Sequence, residues 1–164
     1  MTVRKVEIER LSVISSKPFE EVLTTLEEAI GHPDMDEFMK ATHASQNFAE
    51  FESVVHKQLG TTGLMMFMKF DRGAVLRKET GLDTPKIVRY VIGNPLIMKE
   101  MTKHVPDAGA YAPVTILVDE RPDGVHLSYD KTASFLAPYR NSDALTVARD
   151  LDSKIGRLLR ECEE

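Results

Sequence analysis

The chain has 164 residues, 42% of them apolar and 29% charged; this suits one domain with ordinary globular usage and excludes a disordered body. At about 150 residues a chain buries roughly 70% of its extended surface, so no staple is required. A net charge of −5, with Lys and Arg scattered and never in a long run, argues against nucleic acid, which calls for a basic face.

Val6, Ile8, Leu11 and Val13 alternate with polar residues. They predict a half-buried strand over 3–14, with a bulge at Glu9-Arg10 where the parity changes. Pro18 opens a helix with Glu20 and Glu21 near its positive end. Its apolar positions are Phe19, Val22, Leu23, Leu26, Ala29 and Ile30, and Gly31 and Pro33 stop it. Residues 32–46 are ambiguous, with Met35, Phe38 and Met39 fitting a short helical turn. Asn47 and Glu50 make a capping-box pair before Phe51, Val54, Val55 and Leu59, and Gly60 closes that helix.

Gly63 to Phe70 is apolar until Lys69, which predicts a strand buried on both faces. Asp71-Arg72-Gly73 should turn, and Ala74 to Leu76 fits a short strand or a helix start. Lys86 to Ile92 is β-branched and aromatic, a strand. Asn94 and Pro95 then cap and start a short helix with Leu96, Ile97, Met101 and Val105 on its apolar side. Tyr111 to Val118 is a strand, joined through Pro122-Asp123-Gly124 to a second in which Val125, Leu127 and Tyr129 alternate with His126, Ser128 and Asp130. Pro138 breaks the chain. Asn141 or Ser142 caps a last helix with the stripe Ala144, Ala148, Leu151, Ile155, Leu158 and Leu159. Strands in groups argue for an α+β two-layer sandwich with a mainly antiparallel sheet, not a doubly wound one.

No window reaches the ~20 apolar residues of a membrane span. The first ten residues hold no apolar stretch of a secretory signal, and the cytoplasm is the expected compartment. Cys162 is the single cysteine; it excludes an internal disulfide and reads as an inert thiol at a frayed end among Glu161, Glu163 and Glu164.

Arg89-Tyr90-Val91-Ile92-Gly93-Asn94-Pro95-Leu96 is followed by Ala108-Gly109-Ala110-Tyr111-Ala112-Pro113-Val114. Leu117-Val118-Asp119-Glu120, Asp123-Gly124, Leu127-Ser128-Tyr129 and Ser134 come after. This pattern resembles the domain-of-unknown-function family numbered 302. The resemblance implies a β-α-β(4)-α fold: a curved antiparallel sheet with a long C-terminal helix packed on it, similar to the helix-grip and TATA-binding-protein architectures. It also implies a homodimer. It implies no reaction. Relatives carry His where this chain has Arg72, so a role resting on that His does not carry over.

Gly93-Asn94-Pro95 is open to two readings, a backbone anion site at a helix start or a plain Asn94 cap. Leu64 to Met68, with Met98, Met101, Phe70 and Tyr90, is a Met-aromatic set that suits either an adaptable apolar pocket or ordinary core. Arg89, Tyr111, Tyr129 and Ser134 put polar tips on apolar strands, to orient a ligand or to bond at the sheet rim. His32, His43, His56, His104 and His126 lack metal-site spacing, although the fold could bring His104, His126 and Asp130 together. No hydrolase elbow, phosphate loop or kinase signature occurs, and nothing names a cofactor.

The leading expectation is a homodimer that binds a small, mainly apolar ligand between sheet and C-terminal helix. Its candidate ligand-binding residues are Met66, Met68, Arg89, Tyr90, Asn94, Tyr111 and Tyr129. An enzyme built on Arg89, Asn94, Tyr111 and Tyr129, and an interaction or stress module acting through its dimer surface, are the alternatives.

Overall fold

The computed structural model describes residues 1–163. Five strands form one antiparallel sheet: β1 (Arg10–Ser15), β2 (Met65–Asp71), β3 (Ile87–Gly93), β4 (Val114–Arg121) and β5 (Gly124–Asp130), in the order β1-β5-β4-β3-β2. Among the described residues, seven α-helices and two short 3-10 helices (Pro106–Ala110 and Ala137–Tyr139) complete the fold: α1 (Phe19–Glu28), α2 (Met35–Ala44), α3 (Phe48–His56), α4 (Ala74–Thr80), α5 (Pro95–Thr102), α6 (Thr132–Leu136) and α7 (Ser142–Glu163). The α+β two-layer arrangement is as the sequence indicated, with the long last helix packed on the sheet.

Alternation sets which face is buried. Val88, Tyr90 and Ile92 of β3, Val114, Ile116 and Val118 of β4, and Val125, Leu127 and Tyr129 of β5 all point inward and are at most 6% exposed. They meet Phe19, Val22, Leu23 and Leu26 of α1 and Leu151, Ile155, Leu158 and Leu159 of α7 in one core. Each such side chain contributes about 1.5–3 kcal/mol by leaving water. Asn141 caps α7, its Oδ1 accepting the Ala144 N–H at 2.9 Å.

A smaller core joins Phe38 of α2, Val55 of α3 and Met65 of β2. The ambiguous 32–46 stretch is thus mostly helix, opened by Asp34, whose carboxylate accepts the Glu37 N–H at 2.9 Å. Asn47 caps α3 in the same way through Glu50 N–H at 3.0 Å.

Gly31 and Gly60 do more than end helices. Both N–H groups donate to the Leu64 carbonyl at 2.9 Å, and Met66 N–H donates back to the Gly31 carbonyl at 2.8 Å. A Cβ on Gly31 would stand 1.7 Å from the Gln58 carbonyl oxygen, and one on Gly60 would stand 2.4 Å from the Ile30 carbonyl carbon. The backbones cross there with no room for a side chain, and the crossing ties the start of β2 to the end of α1.

Three expectations are corrected, and one left open, the strand or helix start at 74–76, is decided. The first strand begins at Arg10, not residue 3, so the parity change at Glu9-Arg10 marks an entry and not a bulge. β2 is an edge strand, with Met68 and Lys69 exposed, and is not buried on both faces; its irregularity lies between Met66 and Met68. Residues 74–76 begin α4. Cys162 is fully buried in the main core, because the α7 stripe continues from Leu158 and Leu159 to the last turn. Burial, then Glu161, pushes its thiol up to about 11.

Candidate functional site

The middle of the layer between sheet and α7 is packed: Tyr90, Ile116, Leu127, Ile155 and Leu158 there are at most 1% exposed. At its edge an apolar pocket of about 120 Å³ remains, lined by Gly93, Asn94, Ile97, Met98, Val114 and Leu151. The opposite face carries the outward residues of each strand, and they are largely open. Ser12, Ile14 and Met68 are exposed, while Phe70, Arg89, Val91, Leu117 and Ser128 are partly so. One cross-strand row runs Phe70, Arg89, Leu117, Ser128 and Ser12.

A concavity of about 480 Å³ lies on this open face, lined by Arg10, Arg89, Tyr111, Thr115, Ser128 and Phe135 among others. Register explains the grouping: Arg89 pairs with Leu117 and Arg10 with Asp130, so the polar members are outward neighbours. Tyr111 precedes β4 and Phe135 lies on α6 after β5. The two rings stack at the end of the sheet, centroids 4.7 Å apart and planes 10° from parallel.

The two arginines differ. Arg10 grips Asp130 with two parallel bonds, Nε to Oδ1 at 2.6 Å and Nη2 to Oδ2 at 2.9 Å. Those bonds hold the Asp130 carboxyl below its usual range and raise the guanidinium. Arg89 donates only through Nη2, to Thr115 Oγ1 at 3.1 Å, and among the described residues it pairs with no carboxylate. It therefore presents an uncommitted cation in a concavity with an aromatic wall, an arrangement able to hold an anionic group on a flat apolar body.

The remaining nominated residues are dispersed. Met66 is half-buried against the main core, and Met68 is exposed on the open face. Tyr90 is buried, its hydroxyl donating to Glu27 Oε1, which Lys69 also binds at 2.6 Å. Burial and then the Glu27 bond raise that phenol far above its ordinary value. Asn94 spends both ends on structure: Oδ1 accepts the Leu96 N–H at 2.8 Å, and Nδ2 donates to the Gly63 carbonyl at 3.0 Å. Tyr129 points its hydroxyl into the core, to Asp152 Oδ1 at 2.6 Å and Thr132 Oγ1 at 2.9 Å. Ser134 donates to the Lys131 carbonyl at 2.6 Å. Of the four residues grouped as an enzyme site, the structure brings together the side chains of Arg89 and Tyr111.

Arg10, Thr115 and Phe135 were missed. Arg10 and Thr115 share the outward parity of Arg89, Ser128 and Asp130, a signal that was available; nothing local marks Phe135. His104 faces Asp143 at 4.0 Å and His126 bonds Asp123 at 2.9 Å, each away from Asp130, which Arg10 holds. No three His, Cys, Asp or Glu side chains among the described residues converge as a metal site would require. No helix among them is long and apolar enough to cross a membrane. The Arg72 guanidinium lies 4.4 Å from the Phe70 ring centroid.

No curated protein sequence matches the chain. Among solved structures, it is similar to an uncharacterized conserved protein, DUF302, from Bacillus stearothermophilus. The TM-score is 0.65 and identity 16%, with 93% of this chain and 97% of that chain covered. At that identity the likeness speaks for the fold alone. The family model described as "Domain of unknown function DUF302" matches residues 39–162, a span that takes in β2 to β5 and nearly all of α7; with the fold and that match together, the chain belongs to the DUF302 family.

Proposed function

We propose that this domain binds a small organic anion with a flat apolar body, on the open face of its sheet and not beneath α7. One observation carries the reading: Arg89, with no carboxylate partner among the described residues, shares a concavity with the stacked Tyr111 and Phe135 rings. A planar guanidinium suits a carboxylate, and the aromatic wall suits a ring. The arrangement supports binding: the other charged groups in the lining, Arg10 and Asp130, are committed to each other, which leaves Arg89 as the cation on offer. The test is calorimetric titration with 2-naphthoate and with its neutral amide. Naphthoate should bind, and Arg89→Gln should weaken it roughly tenfold or more, the scale of a hydrogen bond to a charged group. Equal affinity for the amide would remove the basis for the reading.

A second observation favours self-association. Met68 is exposed beside the partly exposed Phe70, Ile87 and Val91, on the β2–β3 half of the same face. A second copy of the chain laid there would cover apolar surface that otherwise stays wet. Sedimentation should then give a dimer that Met68→Glu dissociates; a monomer at every concentration would exclude it.

A further inference from the structure

A second concavity, of about 460 Å³, lies where α7 runs beside β1 and the start of α6. It is lined by Lys131, Arg149, Ser153, Arg157 and Arg160 over a floor of Leu11 and Gly156. The chain as a whole has 26 acidic residues against 21 basic ones, so four cations around one groove run against its composition. The single carboxylate in the lining, Asp152, is buried. It already accepts from the Tyr129 hydroxyl, the Thr132 N–H and the Ala133 N–H. Lys131 is held by Glu9. Arg149, Arg157 and Arg160 enter no ion pair among the described residues.

Spacing puts these groups on one side of the helix. Positions 149, 153 and 157 follow at intervals of four, and 160 lies three further on. Gly156 keeps the floor low: Arg160 Nη1 stands 3.7 Å from the place a Cβ would take there. Placing cations at the negative end of a helix accounts for Arg160, in the last turn of α7. It does not account for Arg149, which lies in the first half of α7.

We infer that this groove binds a soluble ligand carrying a chain of phosphate groups. Guanidinium forks match phosphate oxygens two at a time, and Ser153 adds a hydroxyl. Arg149 and Arg157 are about 12 Å apart along the helix axis at 1.5 Å per residue. A single phosphate meets both guanidinium groups only if the two side chains fold inward to one point, whereas a linear triphosphate meets them along the groove.

The experiment is calorimetric titration of the full chain with tripolyphosphate, orthophosphate and sulfate at matched ionic strength. Wild type, the double variant Arg149→Gln with Arg157→Gln, and Arg89→Gln are compared. All three substitutions alter solvated or partly solvated side chains, and circular dichroism verifies folding. Wild type should bind tripolyphosphate at least tenfold more tightly than either single anion. The double variant should lose at least tenfold, while Arg89→Gln should not change the affinity, which separates this groove from the open-face site. Equal binding of tripolyphosphate by wild type and double variant overturns the inference. So does association with anionic lipid vesicles or duplex DNA that tripolyphosphate does not compete away.

Discussion

Tyr129 of β5 donates its hydroxyl to Asp152 of α7 at 2.6 Å, across the packed layer between sheet and helix. The same carboxylate accepts the N–H groups of Thr132 and Ala133 at 2.8 and 3.1 Å, at the start of α6. One buried acid thus joins a strand, a short helix and the long helix, with every donor matched.

Removing either partner should therefore cost more than its size suggests. Tyr129→Phe takes away one bond to a buried carboxylate and should destabilise the protein by about 1–3 kcal/mol. Asp152→Ala removes the shared acceptor of three donors; the Ala133 N–H is left with none, while the Tyr129 hydroxyl and the Thr132 N–H fall back on each other and on Thr132 Oγ1, and the change should cost more. Urea unfolding midpoints measure both, and a neutral Asp152→Ala would contradict the arrangement.

Alkaline pH should loosen the fold in two stages. The Cys162 thiol rises from 9.0 to about 11, chiefly by burial. The Tyr90 and Tyr129 phenols rise well above 10.0, for both of them through burial first and then the adjoining carboxylate. In each case the folded chain keeps a proton that the unfolded chain has released. The unfolded state then binds fewer protons, and stability falls as pH increases. The decline should start near pH 9 with Cys162 and steepen above pH 10, by about 1.4 kcal/mol per pH unit for each group then ionised only in the unfolded chain. Tyr90→Phe should make the steep part shallower; an unaltered slope would show that Tyr90 ionises freely in the fold.

Cys162 should be silent in the native protein. Buried against the main core, with a raised thiol, it offers almost no thiolate at neutral pH. An aromatic disulfide reagent should titrate one thiol in concentrated guanidinium chloride and almost none without it. Prompt native labelling would mean that the end of α7 opens readily.

Periodicity made the inner layer legible. The stripe Ala144 to Leu159 and the alternation Val125, Leu127, Tyr129 are buried as read, because each helix or strand meets water on a single side. The strand over 63–70 misled for a related reason. A run of apolar residues reads as doubly buried whether a second layer covers it or not, and here no helix lies over Met68. The candidate site was half visible. Arg89 and Tyr111 stood out as polar tips on apolar strands, but their neighbours Arg10 and Phe135 lie on β1 and α6, and the strand order and the turn into α6 bring them near. Tyr129 was placed with them although its hydroxyl faces the other way; pairing with Asp152, 23 residues on, depends on packing that no local pattern records.

The outward placement of the two larger concavities also has a kinetic consequence. Each opens to solvent, so a molecule that meets it arrives without waiting for the helix to part from the sheet. Association at these sites should run at the rate of encounter, and differences among their ligands should appear in residence time.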